Sequence, residues 1–132
     1  AGLGTFLPIK TANIEEHRMH EELFHIEENL MLECKAAREK GERVIAVGTT
    51  TVRALESAAR GMTGVTDLFL SPGADFQMVD CLFTNFHQPK SSLIVMLAAF
   101  VGNKELLFET YSHAVKEKYR FFSYGDCMLV LP

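Results

Sequence analysis

The sequence predicts an α/β protein built on a largely parallel sheet. Three observations carry that expectation. Short β-rich runs alternate with segments of helical period along the whole chain. Residues 43–47, Arg-Val-Ile-Ala-Val, end at Gly48 and read as a buried parallel strand. Residues 91–100 are apolar nearly all round, so the helix they form belongs in the middle of a core.

The elements follow in order. Residues 3–9 read as a short strand closed by Pro8, residues 15–20 as a polar turn or short helix, and residues 22–26 as strand-like. Residues 27–40 form a helix with Ile26, Leu30, Cys34 and Ala37 as its stripe, and Gly41 can stop it. After the strand at 43–47, Val52, Leu55 and Ala59 give a helix over 52–60 that Gly61 ends. Residues 66–70 are a strand stopped by Ser71-Pro72-Gly73, and residues 82–86 are the next strand. Asn103 caps a last helix whose buried face is Leu107, Tyr111, Ala114 and Val115. A final strand falls within 121–131. No repeat, low-complexity tract or interdomain linker divides the chain, so residues 1–132 form one domain.

Composition narrows the function classes. The chain has 132 residues, 48% hydrophobic and 23% charged, ordinary values for one globular domain. The longest apolar run, 93–101, is too short to span a bilayer, and no signal peptide is expected. Cys34, Cys81 and Cys127 are widely spaced and odd in number, which is no disulfide framework and fits a reducing cytoplasm. The net charge of −4 sits in residues 15–43, where nine Asp/Glu face five Lys/Arg; elsewhere the count is eight to eight. A nucleic-acid binder normally shows a basic footprint, and Lys116, Lys118 and Arg120 make only a small one. The opening Ala-Gly-Leu-Gly-Thr-Phe has no initiator Met and starts directly in a strand-like pattern, as expected of a piece of something longer.

Polar and ionisable residues gather where strands hand over to helices, the edge of an α/β sheet that binds ligands. In Gly48-Thr-Thr-Thr-Val-Arg53 a strand ends, a glycine turns, and threonines enter a helix. The open N–H groups of that turn, with Thr49 and Thr50, suit an anion or carboxylate. Arg53 breaks a local rule, because a cation in the first turn opposes the helix dipole. The competing structural reading is a threonine cap with Arg53 paired to Glu56 on the surface. In Thr84-Asn-Phe-His-Gln-Pro-Lys-Ser-Ser92, His87 can move a proton near neutral pH, Asn85 can hold a ribose hydroxyl or base edge, and Ser91 or Ser92 can cap the apolar helix. A structural His87 bonded to loop carbonyls competes with that role.

His17 and His20 at i, i+3 share a helix face and could bind a metal with Glu22, but a third ligand would come from far away and no cysteine pair supports it. Polar contacts to substrate, or a solvated acidic turn, account for them better, so no metal is expected. In Tyr119-Arg-Phe-Phe-Ser-Tyr-Gly-Asp126, aromatic faces can stack on purines and Asp126 can accept a proton or hold a hydroxyl. Phe121 and Phe122 read as buried strand residues.

Taken in order, these words resemble the S-adenosylmethionine:tRNA ribosyltransferase-isomerase family of queuosine biosynthesis. The matching stretches are Gly-Leu-Gly-Thr-Phe at 2–6, His-Arg-Met-His-Glu-Glu at 17–22, Val-Gly-Thr-Thr-Thr-Val-Arg at 47–53 and Leu-Glu at 55–56. Pro-Gly at 72–73, Thr-Asn-Phe-His at 84–87, Pro-Lys-Ser at 89–91 and Tyr-Arg-Phe-Phe-Ser-Tyr-Gly-Asp at 119–126 complete the set. Gln88, Ser92 and Cys127 stand where the family usually has Leu, Thr and Ala, and none of them removes an ionisable candidate.

The resemblance implies the C-terminal part of an α/β barrel-like main domain, without its N-terminal strands and the β-barrel domain inserted into it. Such a fragment is expected to expose sheet edges and self-associate. It implies transfer of the ribosyl group of S-adenosylmethionine, a substrate rather than a resident cofactor, to 7-aminomethyl-7-deazaguanine at the wobble position of a tRNA. Adenine and methionine leave, and the product is epoxyqueuosine. On this resemblance His87 and Asp126 carry the proton transfers, with His17, His20 and Glu22 as further acid–base candidates. Arg53 with Thr49 and Thr50 takes the methionine carboxylate or a tRNA phosphate. Asn85 holds ribose hydroxyls, Tyr124 stacks on a base, and Ser91 and Arg120 add substrate contacts. The alternative is a non-catalytic nucleotide- or RNA-binding module, or a truncated enzyme that folds without turnover.

Overall fold

A computed structural model describes residues 8, 9, 11 and 13–131. Its strands and helices are interspersed along the chain, as expected of an α/β protein, though two strands and then two helices follow one another in its second half. A 3-10 turn at Ile14–Glu16 leads into β1 (Glu22–Leu23), α1 (Glu28–Glu39), β2 (Ile45–Val47) and α2 (Thr49–Ala59). Then come β3 (Val65–Thr66), β4 (Cys81–Asn85), α3 (Ser92–Val101), α4 (Lys104–Lys116) and β5 (Cys127–Val130). The strand expected over residues 3–9 lies outside the described residues except at its end, where Pro8 bridges Ser91 and the Ile9 N–H donates to the Lys90 carbonyl at 2.8 Å.

The main sheet is mixed, in the order β2-β4-β5. β2 and β4 run parallel, with Ile45 opposite Cys81 and Val47 opposite Phe83. β5 joins antiparallel, Leu82 facing Val130 and Asn85 facing Cys127. β1 and β3 form a separate antiparallel pair, with Glu22 opposite Thr66. Parallel neighbours need a crossover of a dozen or more residues, and α2 with the loop after β3 supplies it.

Side chains alternate between the two faces of a strand. On one face Ala46 and Leu82 are fully buried, in one core with Val52 and Leu55 of α2 and Met96, Leu97 and Phe100 of α3. The other face is largely uncovered: Ile45, Val47, Phe83 and Leu129 are exposed, Val47 to 67%, while Cys81 opposite Ile45 is buried. The buried strand expected at 43–47 is therefore covered on one side only. A run of Val and Ile reads the same whether one face or both are packed.

Two helix stripes also need correction. α1 buries no residue; Leu30 is exposed, and the side chains nearest the core are Met31 and Cys34. On α4, Leu107 and Ala114 are buried as expected, but Val115 faces out. Both helices are covered on a narrow line only. α3 is apolar almost all round and lies in the core, as expected. It is capped by Ser91, whose Oγ accepts from the Ile94 N–H at 3.3 Å; Asn103 Oδ1 caps α4 by accepting from Leu106 at 3.0 Å. No helix among the described residues is long and apolar enough to cross a membrane.

Candidate functional site

The carboxyl ends of β2 and β4 open onto a cleft of about 630 Å³. That size suits a nucleoside-sized ligand. β2 hands over to α2 at Gly48, whose φ of 89° lies where only glycine sits without strain. Gly48 is the N-cap, with no side-chain cap bond; Thr51 turns back to donate to the Val47 carbonyl at 2.8 Å. The threonine-cap reading therefore fails. The first-turn amides are left beside Thr49 and Thr50, both of which line the cleft. β4 supplies the opposite wall: Phe83, Thr84 and Asn85, then Phe86, His87, Gln88 and Ser91. Residues about 35 apart in sequence meet here because parallel strands end at the same edge.

His87 is held from two sides. The Thr84 hydroxyl meets its Nε2 at 2.9 Å, and its backbone N–H donates to the Tyr111 hydroxyl at 3.0 Å. Below it the Phe86 ring packs against Tyr111 at 5.5 Å and Phe121 at 5.0 Å. Burial pushes the His87 imidazole down to about 4, so at neutral pH the ring is neutral. The unfolded chain, with an ordinary value of 6.5, binds this proton first. Stability from His87 is therefore complete above about pH 6.5 and is lost as pH falls toward 4, by up to about 3 kcal/mol. Urea unfolding at neutral pH and near pH 4 is expected to show that loss, and His87→Gln to flatten the difference.

Phe122 and Ser123 complete the lining. They belong to a loop closed from behind by Asp126, which accepts from the Arg120 backbone N–H at 2.6 Å and from Arg120 Nε at 3.0 Å. The Arg120 side chain and backbone amide hold the Asp126 carboxyl below the usual carboxylate range. Neither residue lines the cleft. Tyr124 is 74% exposed on the outside of the same loop. Phe122 is not the buried strand residue that its sequence setting predicts. Instead its φ is 61°, it is partly exposed, and it forms part of the cleft wall.

Arg53 lies elsewhere. It is 5% exposed and pairs with Glu22 at 2.5 Å, not with Glu56 on the surface. Around it are Met19, Leu68, Phe69, Leu70 and Met96, lining a small separate hollow. Glu56 is fully buried. Its carboxylate accepts from the backbone N–H of Gln77 at 2.9 Å, of Met78 at 2.8 Å and of Val79 at 2.9 Å, and pairs with Arg60 at 2.5 Å. It ties α2 to the segment that enters β4. An acid on the apolar side of α2 with an arginine four residues on is the sequence signal that could have found it.

His17 and His20 do not share a helix face. The 3-10 turn ends at His17, and the chain then runs irregularly into β1. His17 packs its ring on Phe69 at 5.1 Å, and neither histidine lines the cleft. Among the described residues no three His, Cys, Asp or Glu side chains are grouped to hold a metal.

A parallel pair with a cleft beyond its carboxyl ends, apolar-walled and set with a few polar side chains, defines an α/β protein of the ligand-binding kind. A family model described as "Queuosine biosynthesis protein" matches residues 1–130, and the chain belongs to that family. It is 49% identical over 98% of its length to the S-adenosylmethionine:tRNA ribosyltransferase-isomerase of Halothermothrix orenii, and 52% identical to that of Carboxydothermus hydrogenoformans. It covers 40% of each of these relatives. The crystal structure of S-adenosylmethionine tRNA ribosyltransferase from Thermotoga maritima superposes with a TM-score of 0.75 at 47% identity, over 80% of this chain and 39% of that one.

Proposed function

We propose that the cleft is part of the active site of a tRNA ribosyltransferase-isomerase that uses S-adenosylmethionine as ribosyl donor. One observation carries the reading: Gly48-Thr49-Thr50, Asn85-Phe86-His87 and Ser91, drawn from three of the family-like words, converge on a single nucleoside-sized space. The relatives' names supply the reaction class. The acceptor is 7-aminomethyl-7-deazaguanine in the tRNA anticodon, and the setting is the cytoplasm, which the free cysteines support.

The reaction needs a group to take a proton, a group to return one as adenine departs, and polar contacts that hold the ribose while it rearranges. His87 is neutral at working pH, the state needed to accept a proton. With Nε2 engaged by Thr84, Nδ1 is assigned that transfer. A site that depresses the imidazole makes its protonated form a strong acid, suited to returning the proton to adenine. Asn85 holds ribose hydroxyls, and the first-turn amides of α2 with Thr49 and Thr50 take the methionine carboxylate.

Arg53 and Glu22, buried against each other, act by seating α2 rather than by touching substrate. Asp126 and Arg120 act through the loop they close. Ser91 is engaged in its cap, and its hydroxyl donates to the Gln88 carbonyl at 2.8 Å. It shapes the cleft wall. The exposure of Tyr124 supports a role in stacking on an anticodon base from outside, and His17 and His20 stay as peripheral polar contacts. The largely uncovered apolar face of the sheet supports a barrel-like setting, where such a face turns inward.

Mass analysis of the tRNA tests the reading. After incubation with S-adenosylmethionine, the wobble nucleotide is expected to gain the epoxycyclopentanediol group. An unchanged nucleotide under conditions where the Thermotoga maritima enzyme modifies it leaves a binding module, or a truncated enzyme that folds without turnover, as the better reading.

A further inference from the structure

We propose that Phe122 is the stacking wall of the cleft and that it takes the flat face of a purine-type ring. The inference rests on the functional reading above and names the ligand contact within it. Three observations carry it.

First, Phe122 holds a left-handed backbone, φ 61°, which a bulky non-glycine residue rarely adopts. Such outliers persist only where the surroundings impose them, and they cluster at ligand sites. Second, the surroundings do impose it. The Phe122 N–H donates to the Phe86 carbonyl at 3.1 Å, and Arg120 and Asp126 close the loop behind it. Gly125 leaves room for that clasp, since a Cβ there would meet the Arg120 guanidinium at 3.2 Å. Third, the ring is only partly spent on the core: it meets Phe121 edge-on at 6.4 Å and keeps the rest of its surface open. Phe121 takes the place in the aromatic cluster with Phe86 and Tyr111, while Phe122 is 41% exposed and borders the cleft with His87 and Asn85. A half-exposed aromatic, fixed by its backbone beside polar groups, is the arrangement that receives a nucleobase: the ring stacks and the polar neighbours orient.

Two ligands of the reaction carry such a ring, the adenine of S-adenosylmethionine and the 7-deazaguanine of the tRNA. Calorimetric titration of this chain with adenosine, and separately with the 7-aminomethyl-7-deazaguanine nucleoside, distinguishes them. Methionine serves as a ligand without a purine-type ring. The ligand that stacks is expected to lose roughly five- to 150-fold in affinity in Phe122→Leu, the equivalent of about 1–3 kcal/mol. Phe122→Trp is expected to retain it, and methionine to be indifferent to either change.

Phe122→Gly provides a second readout. Glycine relaxes a left-handed backbone, so the thermal midpoint is expected to hold or rise while base affinity falls. A purely structural Phe122 would give the opposite, a lower midpoint with unchanged affinity. Equal affinity of wild type and Phe122→Leu for both nucleosides, or no binding of either by the wild type, overturns the stacking role. Modification of tRNA by the wild type is measured separately, so loss of the stacking role and loss of the functional reading give different results.

Discussion

Glu56→Ala is expected to destabilise the fold by about 3–5 kcal/mol, a large part of the stability of a domain this size. The carboxylate is fully buried, and three successive amides, those of Gln77, Met78 and Val79, donate to it. Removing it leaves those amide donors without their shared acceptor, the buried ones of Met78 and Val79 above all, and Arg60 without its ion-pair partner. Arg60 also donates to the Asp75 carbonyl, so the Glu56–Arg60 pair holds much of residues 75–79 on the approach to β4. Glu56→Gln keeps the volume and one acceptor oxygen and is expected to cost less than half as much. Urea unfolding followed by circular dichroism reads both variants. A Glu56→Ala midpoint close to wild type would mean that the 75–79 segment is held by something else. Because the same contact ties α2 to the segment that enters β4, the stability loss is expected to bring a loss of ligand affinity with it.

His87→Gln is expected to lower turnover by roughly 10²- to 10⁴-fold, the usual contribution of a positioned acid–base group. Gln retains a polar group of similar reach but cannot carry the proton. Substrate affinity is expected to change little, because Asn85, Thr49 and Thr50 remain. Thr84→Val is a milder counterpart: it removes the hydroxyl that meets Nε2 and frees the ring to turn. Its effect is expected in turnover rather than affinity, with Thr84→Ser restoring most of the rate. Steady-state turnover and direct binding, measured side by side, separate the two. Turnover of His87→Gln at the wild-type rate would remove the proton-transfer role.

Much of this was legible in the sequence, for reasons that differ from residue to residue. α2, α3 and α4 announce themselves by period and by their stops and caps. Ser91 and Asn103 cap as their residue types favour, and Gly41, Gly61 and Gly102 follow helices with positive φ. Such signals are local, and local signals survive folding. The convergence of Gly48–Thr50 with Asn85–His87 was legible too, because a parallel pair forces both strand ends to one edge.

What could not be read depends on partners distant in the chain. Arg53 looked like an anion ligand or a surface ion pair, and its actual partner, Glu22, lies 31 residues earlier on a two-residue strand. Glu56 looked like half of that surface pair, and its acceptor role appears only once the 77–79 segment is laid against it. Phe122 and Phe121 are identical in composition and adjacent, yet one joins the aromatic cluster and the other lines the cleft. The positive φ that separates them leaves no mark on residue type. Val47 reads as core because apolar character shows what a residue favours, not whether its face is covered.

The most direct test of the central assignment is adenine release from S-adenosylmethionine, with and without tRNA carrying 7-aminomethyl-7-deazaguanine. It is best measured in the Thermotoga maritima enzyme with this chain in place of its matching segment. The expected result is release that depends on that tRNA and falls by at least about a hundredfold in His87→Gln. Release that proceeds at full rate in His87→Gln, or that fails while the unmodified Thermotoga maritima enzyme turns over, would contradict the assignment of the chemistry to this cleft.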